Sequence, residues 1–265
     1  MPELAEVAFA CSIWNSNLNQ KIKKVEVSKT SRVFRDCEPS QVEDALSQTI
    51  LKSSATHGKQ MLFKFTGDKW LGLHLGMTGS LALEESSYTA EKHDALILYQ
   101  PSATLIFKDP RQFGKVSLHN GKTVPSWWKD LPTSMLDEKF DQQIVTTALK
   151  RHARRPIKAL LLDQRYFQGM GNWMADEVLW RAAIHPASPC GKIKKTAEDH
   201  LFKQILFVAR GAMNSVGVNG GDPPKGWLFH ARWKDGGLCP KTGKKLRREK
   251  IGGRTSCWCP HIQNK

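Results

Sequence analysis

The chain has 265 residues, enough for two domains of ordinary size, and its 40% hydrophobic content excludes wholesale disorder. No run of 18 apolar residues and no cationic leader before an apolar stretch is readable, so neither a membrane span nor a secretory signal is expected. Forty Lys and Arg against 25 Asp and Glu leave a net charge of +15, which points to a polyanionic partner: nucleic acid first, with a membrane surface or a ribosomal role as rivals.

Residues 3–18 place Leu4, Val7, Ala8, Cys11, Trp14 and Leu18 at helical spacing and predict one buried helix stripe. Short β-like segments follow at Lys23–Val27, Met61–Phe65, Trp70–Leu75, Leu96–Tyr99 and Leu105–Phe107. Gly, Asp, Ser and Asn punctuate them, as expected of an antiparallel sandwich or barrel. The stretch Asn120–Asp137, with Pro125, Trp127, Trp128 and Pro132, reads as a crossing between domains. Helical texture then starts at Ile144, Val145 and Leu149 and continues at Ile157–Leu162, Trp173–Ala182 and Thr196–Asn214. The last helix carries Leu201, Ile205, Val208 and Ala212 on one face. Beyond an irregular Gly217–Gly226 comes a small, highly basic tail. The expectation is an α+β chain: a sandwich domain over 1–125, a linker over 126–138, a helical domain over 139–226 and a tail over 227–265.

The six cysteines, Cys11, Cys37, Cys190, Cys239, Cys257 and Cys259, are too few and too scattered for a disulfide framework, and a reducing intracellular setting fits them.

Chemistry first shows at Met1-Pro2-Glu3-Leu4-Ala5-Glu6-Val7. A small residue at position 2 lets Met1 be trimmed, which leaves a secondary amine whose pKa near about 8 keeps a useful fraction unprotonated at neutral pH. Such an amine attacking an anomeric carbon forms an iminium that cannot discharge by losing a proton, a strong electron sink for elimination. Glu3 beside it can supply or take protons. Taken alone, these residues read more simply as a helix start, where the missing N–H of Pro2 costs nothing.

Further motifs follow in a definite order: His57-Gly58-Lys59-Gln60; His74-Leu75-Gly76-Met77-Thr78-Gly79; Lys92-His93-Asp94; and Asp109-Pro110-Arg111-Gln112-Phe113-Gly114. The longest runs from Ile157-Lys158-Ala159-Leu160-Leu161-Leu162-Asp163-Gln164 through Gly169-Met170-Gly171-Asn172 to Ala175-Asp176-Glu177 and Ile184-His185-Pro186, and the tail adds Gly253-Arg254-Thr255 and Cys259-Pro260. Together with the opening, this series resembles the formamidopyrimidine-DNA glycosylase/endonuclease VIII family over nearly the whole chain.

The resemblance implies a bifunctional DNA glycosylase and abasic-site lyase of base excision repair, acting as a monomer on double-stranded DNA that carries damaged bases or abasic sites. It implies an amino-terminal helix with an antiparallel β-sandwich, a helix-two-turn-helix domain and a carboxy-terminal β-hairpin finger. Pro2 would be the Schiff-base nucleophile and Glu3 the acid that helps open the sugar. Lys59 would contact a phosphate and donate a proton in β-elimination, and Arg254 would serve δ-elimination. Met77, Arg111 and Phe113 map to the trio that fills the hole left by an extruded nucleotide, which recovers part of a few kcal/mol of lost stacking and pairing. His93, Arg154, Lys158 and Asn172 map to further DNA contacts, with Arg151 and Arg155 beside them and the first amides of the Trp173 helix able to hold a phosphate.

The tail departs from the family's zinc pattern. Cys239-Pro240-Lys241-Thr242 and Cys259-Pro260-His261-Ile262 leave Thr242 and Ile262 where ligands should be, and two thiolates cannot close a structural zinc site. A zincless finger held by packing, with Trp258 and Leu246, is therefore expected, and no cofactor. The rival is a rearranged site of Cys239, Cys257, Cys259 and His261, three of which alternate along a strand. The short segment Val216–Lys225 favours oxidised pyrimidines or ring-opened and hydantoin lesions over oxidised guanine.

Overall fold

The computed structural model describes residues 2–264. The chain divides into two compact units, residues 6–131 and residues 132 onward, the second joined by Glu3–Ala5.

The first unit holds most of the helix Leu4–Asn15 (α1) and eight strands: Lys24–Val27 (β1), Leu51–His57 (β2), Gln60–Phe65 (β3), Lys69–His74 (β4), Ser80–Glu85 (β5), Asp94–Tyr99 (β6), Ala103–Lys108 (β7) and Lys115–Asn120 (β8). They form two antiparallel sheets, ordered β1-β6-β7-β5 and β2-β3-β4-β8. Their apolar faces share one core: Phe63, Phe65, Leu71 and Leu73 from one sheet, Leu96, Leu98, Leu105 and Phe107 from the other, with Val7, Cys11 and Trp14 of α1. Fully burying such side chains stabilises by about 1.5–3 kcal/mol each, which is why alternating apolar residues in these strands settle the register. Pro2 lies two residues outside α1, so it is not the first residue of a helix.

Two further helices, Pro39–Leu46 (α2) and Ser126–Lys129 (α3), belong to this unit. The α3 residue Trp127 packs so closely on Gly72 of β4 that a Cβ there would lie 2.7 Å from its ring. The expected linker therefore begins as part of the sandwich, and the division falls after Leu131.

The second unit contains Gln142–Arg151 (α4), Ile157–Leu161 (α5), Asn172–Arg181 (α6), Lys195–Asn214 (α7) and Val216–Asn219 (α8), then the hairpin Arg247–Ile251 (β9) and Arg254–Trp258 (β10). Asp141 caps α4 by accepting from the Ile144 amide at 3.0 Å. The spaced residues of α7, Leu201, Ile205, Val208 and Ala212, are buried with Leu160, Leu161, Met174 and Val178 and with Leu4 and Ala5. Between α5 and α6 the chain makes the two-turn connection 162–171. Gln164 pins it, donating to the carbonyls of Leu162 and Met170 and accepting from the Gly169 amide. The hairpin belongs to this same unit rather than to a domain of its own. Its two-residue turn, Gly252-Gly253, has φ of +59° and +80°, a conformation only glycine adopts without strain. Among the described residues no helix is long and apolar enough to cross a membrane.

Candidate functional site

In the first unit, Lys59 sits in the two-residue turn joining β2 to β3, between the paired His57 and Gln60. Gly58, at φ +59°, permits that turn, and Lys59 is mostly buried. Across the next strand pair, Gln60 faces His74. Burial, reinforced by the charges of Lys59, Arg35 and Lys115, pushes the His74 imidazole down to about 4, so it is neutral at physiological pH. Its Nδ1 accepts from the Gly76 amide at 3.0 Å, which leaves Nε2 as the protonated nitrogen.

Arg111 and Phe113 occupy the β7–β8 loop, both exposed, with the guanidinium 4.8 Å from the ring centroid. Met77 lies half-buried in the β4–β5 turn. These loops adjoin: a side chain on Gly76 would strike the Phe113 backbone. Asp109, 2% exposed, joins them. Its Oδ1 accepts from the Thr78 hydroxyl at 2.9 Å and the Arg111 amide at 3.3 Å, and its Oδ2 accepts from the Gly114 amide at 2.6 Å. Asp109 thus ties the loops that carry the trio to one another, with Arg111 and Phe113 exposed and Met77 half-buried. His93 is exposed, and its carbonyl accepts from the Asp109 amide at 2.9 Å, which ties it to the same loop.

Arg32 and Arg35, absent from the residues expected, line a pocket with Arg111, Gln112 and Phe113. The Arg32 amide donates to Gln112 Oε1 at 3.0 Å, and Arg35 Nη1 donates to the Gly114 carbonyl at 2.6 Å. Only a pair of arginines three apart marked them in the sequence, with no motif around them.

In the second unit, Glu3 is buried at 2% exposure. Oε1 accepts from the Trp173 amide at 2.9 Å and Oε2 from the Met174 amide at 3.2 Å, at the amino terminus of α6, where the helix dipole favours negative charge. Gly171 makes this possible, because a Cβ there would overlap the Glu3 carboxyl carbon. This corrects the expectation that the first amides of the Trp173 helix hold a phosphate: two of them hold Glu3.

Lys158 is corrected as well. Its side chain is fully buried, with Nζ 2.5 Å from Asp176 Oδ1 and 2.6 Å from the Asn172 carbonyl, so it does not face a phosphate. An ammonium in that position needs a carboxylate, and Asp176 supplies it. Arg155 pairs with Asp163 at 2.8 Å, whereas Arg151 and Arg154 are exposed. Asn172 is half-buried and donates one amide hydrogen to the Thr255 carbonyl at 2.9 Å, leaving the second for another acceptor. Arg254 opens β10, exposed beside the Gly252-Gly253 turn.

The finger does not fit a structural zinc ion. Cys239 and Cys259 are buried with Cys257, Trp180, Leu228 and Leu246. The Cys239 thiol accepts from Trp180 Nε1 at 3.3 Å, and Cys259 meets the Thr242 hydroxyl at 3.5 Å. His261 is exposed, and among the described residues no group of three His, Cys, Asp or Glu could hold a metal ion, so the rearranged set Cys239, Cys257, Cys259 and His261 is not assembled. Trp258 is buried against the His185 ring, 5.1 Å between centroids.

Comparison with known proteins bears on this arrangement. The sequence profile of the formamidopyrimidine-DNA glycosylase N-terminal domain matches residues 1–116, and that of the formamidopyrimidine-DNA glycosylase H2TH domain matches residues 131–219. A formamidopyrimidine-DNA glycosylase of Streptococcus pneumoniae is 30% identical over all of both chains. One from Arabidopsis thaliana is 29% identical over 99% of this chain and 71% of its own length. The fold is similar to that of wild-type Lactococcus lactis Fpg (MutM) in complex with DNA containing an oxidised pyrimidine, with a TM-score of 0.89, 27% identity and full coverage of both chains.

Proposed function

The chain belongs to the formamidopyrimidine-DNA glycosylase family, and on that premise we propose how its own residues act. It is a DNA glycosylase with abasic-site lyase activity in the base excision repair of oxidised bases, and its partner is damaged double-stranded DNA.

In this reading, removal of Met1, which lies outside the described residues, frees the Pro2 secondary amine. Its lone pair attacks C1′ of the damaged nucleotide. Glu3 delivers a proton that lets the sugar ring open, the base departs, and a C1′ iminium remains on Pro2. Loss of a C2′ proton then expels the 3′ phosphate with help from Lys59. Loss of a C4′ proton next expels the 5′ phosphate, with Arg254 beside the leaving group. Water releases the unsaturated aldehyde and restores the amine. Met77, Arg111 and Phe113 fill the vacated stack; His93, Arg154 and Asn172 contact DNA. No step needs a metal or an organic cofactor, and the setting is a reducing intracellular one.

The observation that carries this reading is the buried Glu3 carboxylate, held by two α6 amides one residue from Pro2, with Gly171 leaving room for it. With the carboxyl fixed there, a proton it carries is placed one residue from the Pro2 amine for transfer to the sugar oxygen as the ring opens. Borohydride trapping tests it. Trimmed enzyme is expected to give a covalent adduct with abasic DNA, whereas a chain with an acetylated terminus gives little or none. A chain that shifts DNA in a gel but never forms an adduct is a damage binder and not an enzyme. The short Val216–Lys225 segment favours oxidised pyrimidines or ring-opened and hydantoin lesions, which a panel of single-lesion oligonucleotides resolves.

A further inference from the structure

The finger lacks the donors for a metal, yet its strand β10 is fastened to the helical core at defined atoms. Asp176 on α6 stands at the centre of that fastening, 1% exposed. Oδ1 meets Lys158 Nζ at 2.5 Å, and Oδ2 meets Arg232 Nη2 at 2.5 Å and Nε at 3.2 Å. The Cys257 amide of β10 donates to the same Oδ2 at 3.1 Å. Lys158 also donates to the Asn172 carbonyl, and the Asn172 side chain donates to the Thr255 carbonyl. Strand β10 is thereby held at Thr255 and Cys257, immediately after Arg254. The hairpin turn is held too: a Cβ on Gly252 would come within 2.6 Å of Ala159 Cβ on α5.

The charge balance fits an anchor of this kind. Lys158 and Arg232 are two buried cations, and Asp176 alone leaves one positive charge over. Glu3, whose charge also acts on Lys158, supplies the second carboxylate of the neighbourhood. Removing one partner from such a cluster strands an uncompensated buried charge, which is why its members are not interchangeable. Helix α6 therefore carries Glu3 on the amides of its second and third residues and the finger strand on its fifth, Asp176.

We propose that Asp176 is the positioning residue of the finger, and that the Lys158–Asp176–Arg232 cluster, in the place of metal ligation, sets Arg254 and Asn172 in register for the reaction. This rests on the role given to Arg254 above. Asp176 touches no substrate and acts through β10.

The test compares Asp176→Asn, Arg254→Ala and the double variant with the parent enzyme. In Asp176→Asn, hydrogen exchange of the β9 and β10 amides is expected to quicken by about tenfold, as loss of a direct coupling implies. The proportion of δ-elimination product falls, while borohydride trapping through Pro2 persists. The double variant shows no further loss of δ product beyond Arg254→Ala, because both changes act on one step. If Asp176→Asn does not fold, the triple variant Lys158→Met, Asp176→Leu, Arg232→Met removes every buried charge of the cluster and is expected to fold with the same faster exchange and the same product shift. A folded variant whose finger exchange matches the parent overturns the proposal, as does parent enzyme that binds one zinc ion per chain and loses finger protection when chelated. If finger exchange quickens in Asp176→Asn but Arg254→Ala leaves the products unchanged, the anchor stands and the role given to Arg254 fails.

Discussion

Each unit keeps a buried aspartate behind an exposed arginine, and the two are built differently. Asp109 supports the Arg111–Phe113 loop through neutral donors only, two of them backbone amides within five residues along the chain. Asp176 holds strand β10, which Arg254 opens, and meets two cations and an amide from positions 158, 232 and 257. The first is mainly a local device, a side chain capping its own loop, of the kind short polar residues form readily, with the Thr78 hydroxyl its one partner from another loop. The second exists only once three distant segments have packed. Local capping stiffens one loop cheaply, whereas a buried ionic cluster ties separate elements into one register and penalises every partial arrangement.

The units differ in acid response as well. His74 in the first has its imidazole pushed by burial from 6.5 to about 4, so the folded state binds fewer protons there than the unfolded chain. Its contribution is present above pH 6.5 and is lost as pH falls towards 4. Glu177 in the second is pushed by burial from 4.5 up to about 7, against the Arg181 guanidinium 2.7 Å away and the Phe229 amide at 3.2 Å. Its contribution is present below pH 4.5 and is lost as pH rises through 7.

The largest effect expected is at Gly171. In Gly171→Ala the new methyl displaces Glu3, and base excision should fall by about 10²–10⁴-fold, the usual worth of a positioned acid. Single-turnover rates on a damaged base and on a preformed abasic site measure it; an equal loss on both would remove Glu3 from sugar opening. Next comes Asp109→Ala, which leaves the Arg111 and Gly114 amides without their acceptor and should cost about 1–3 kcal/mol in urea unfolding. It should also weaken abasic-DNA binding, and unchanged binding would show that the loop needs no preorganisation. Smaller still are the opposed pH slopes, at most about 1.4 kcal/mol per pH unit each. Glu177→Gln should flatten the loss between pH 5 and 7, and His74→Gln the loss between pH 6 and 4, in thermal melts; slopes of one sign would end the contrast. Phe113→Ala should be least disruptive to the fold, within about 0.5 kcal/mol, because the ring is 49% exposed. Fluorescence titration should nonetheless show weaker binding to abasic DNA.

Much of the fold was legible, and the omissions share a cause. The predicted strands include the four central ones, β3, β4, β6 and β7, whose apolar periodicity is strong because neighbours cover them on both edges. Within the sandwich, the three strands that the pattern does not show, β2, β5 and β8, all lie at sheet edges, and β2 reads Leu-Lys-Ser-Ser-Ala-Thr-His with most residues facing outward. In the site, Glu3, Lys59, Met77, Arg111, Phe113 and Arg254 were singled out through contiguous motifs. The burial of Lys158 escapes its motif for the opposite reason: a lysine beside three arginines looks solvated until the carboxylate 18 residues on is brought against it.

By itself, then, the order of residues determined the α+β class, the family, the turns that present Lys59 and Arg254, and the shortage of metal donors at Thr242 and Ile262, because each is a matter of local identity and spacing. Only the tertiary structure decided that Glu3 occupies the α6 amides, that Arg32 and Arg35 join the Arg111 loop, and that Asp176 binds the finger to the helices. Those facts depend on which buried charges meet which partners, and desolvation makes that choice only after distant segments close on one another.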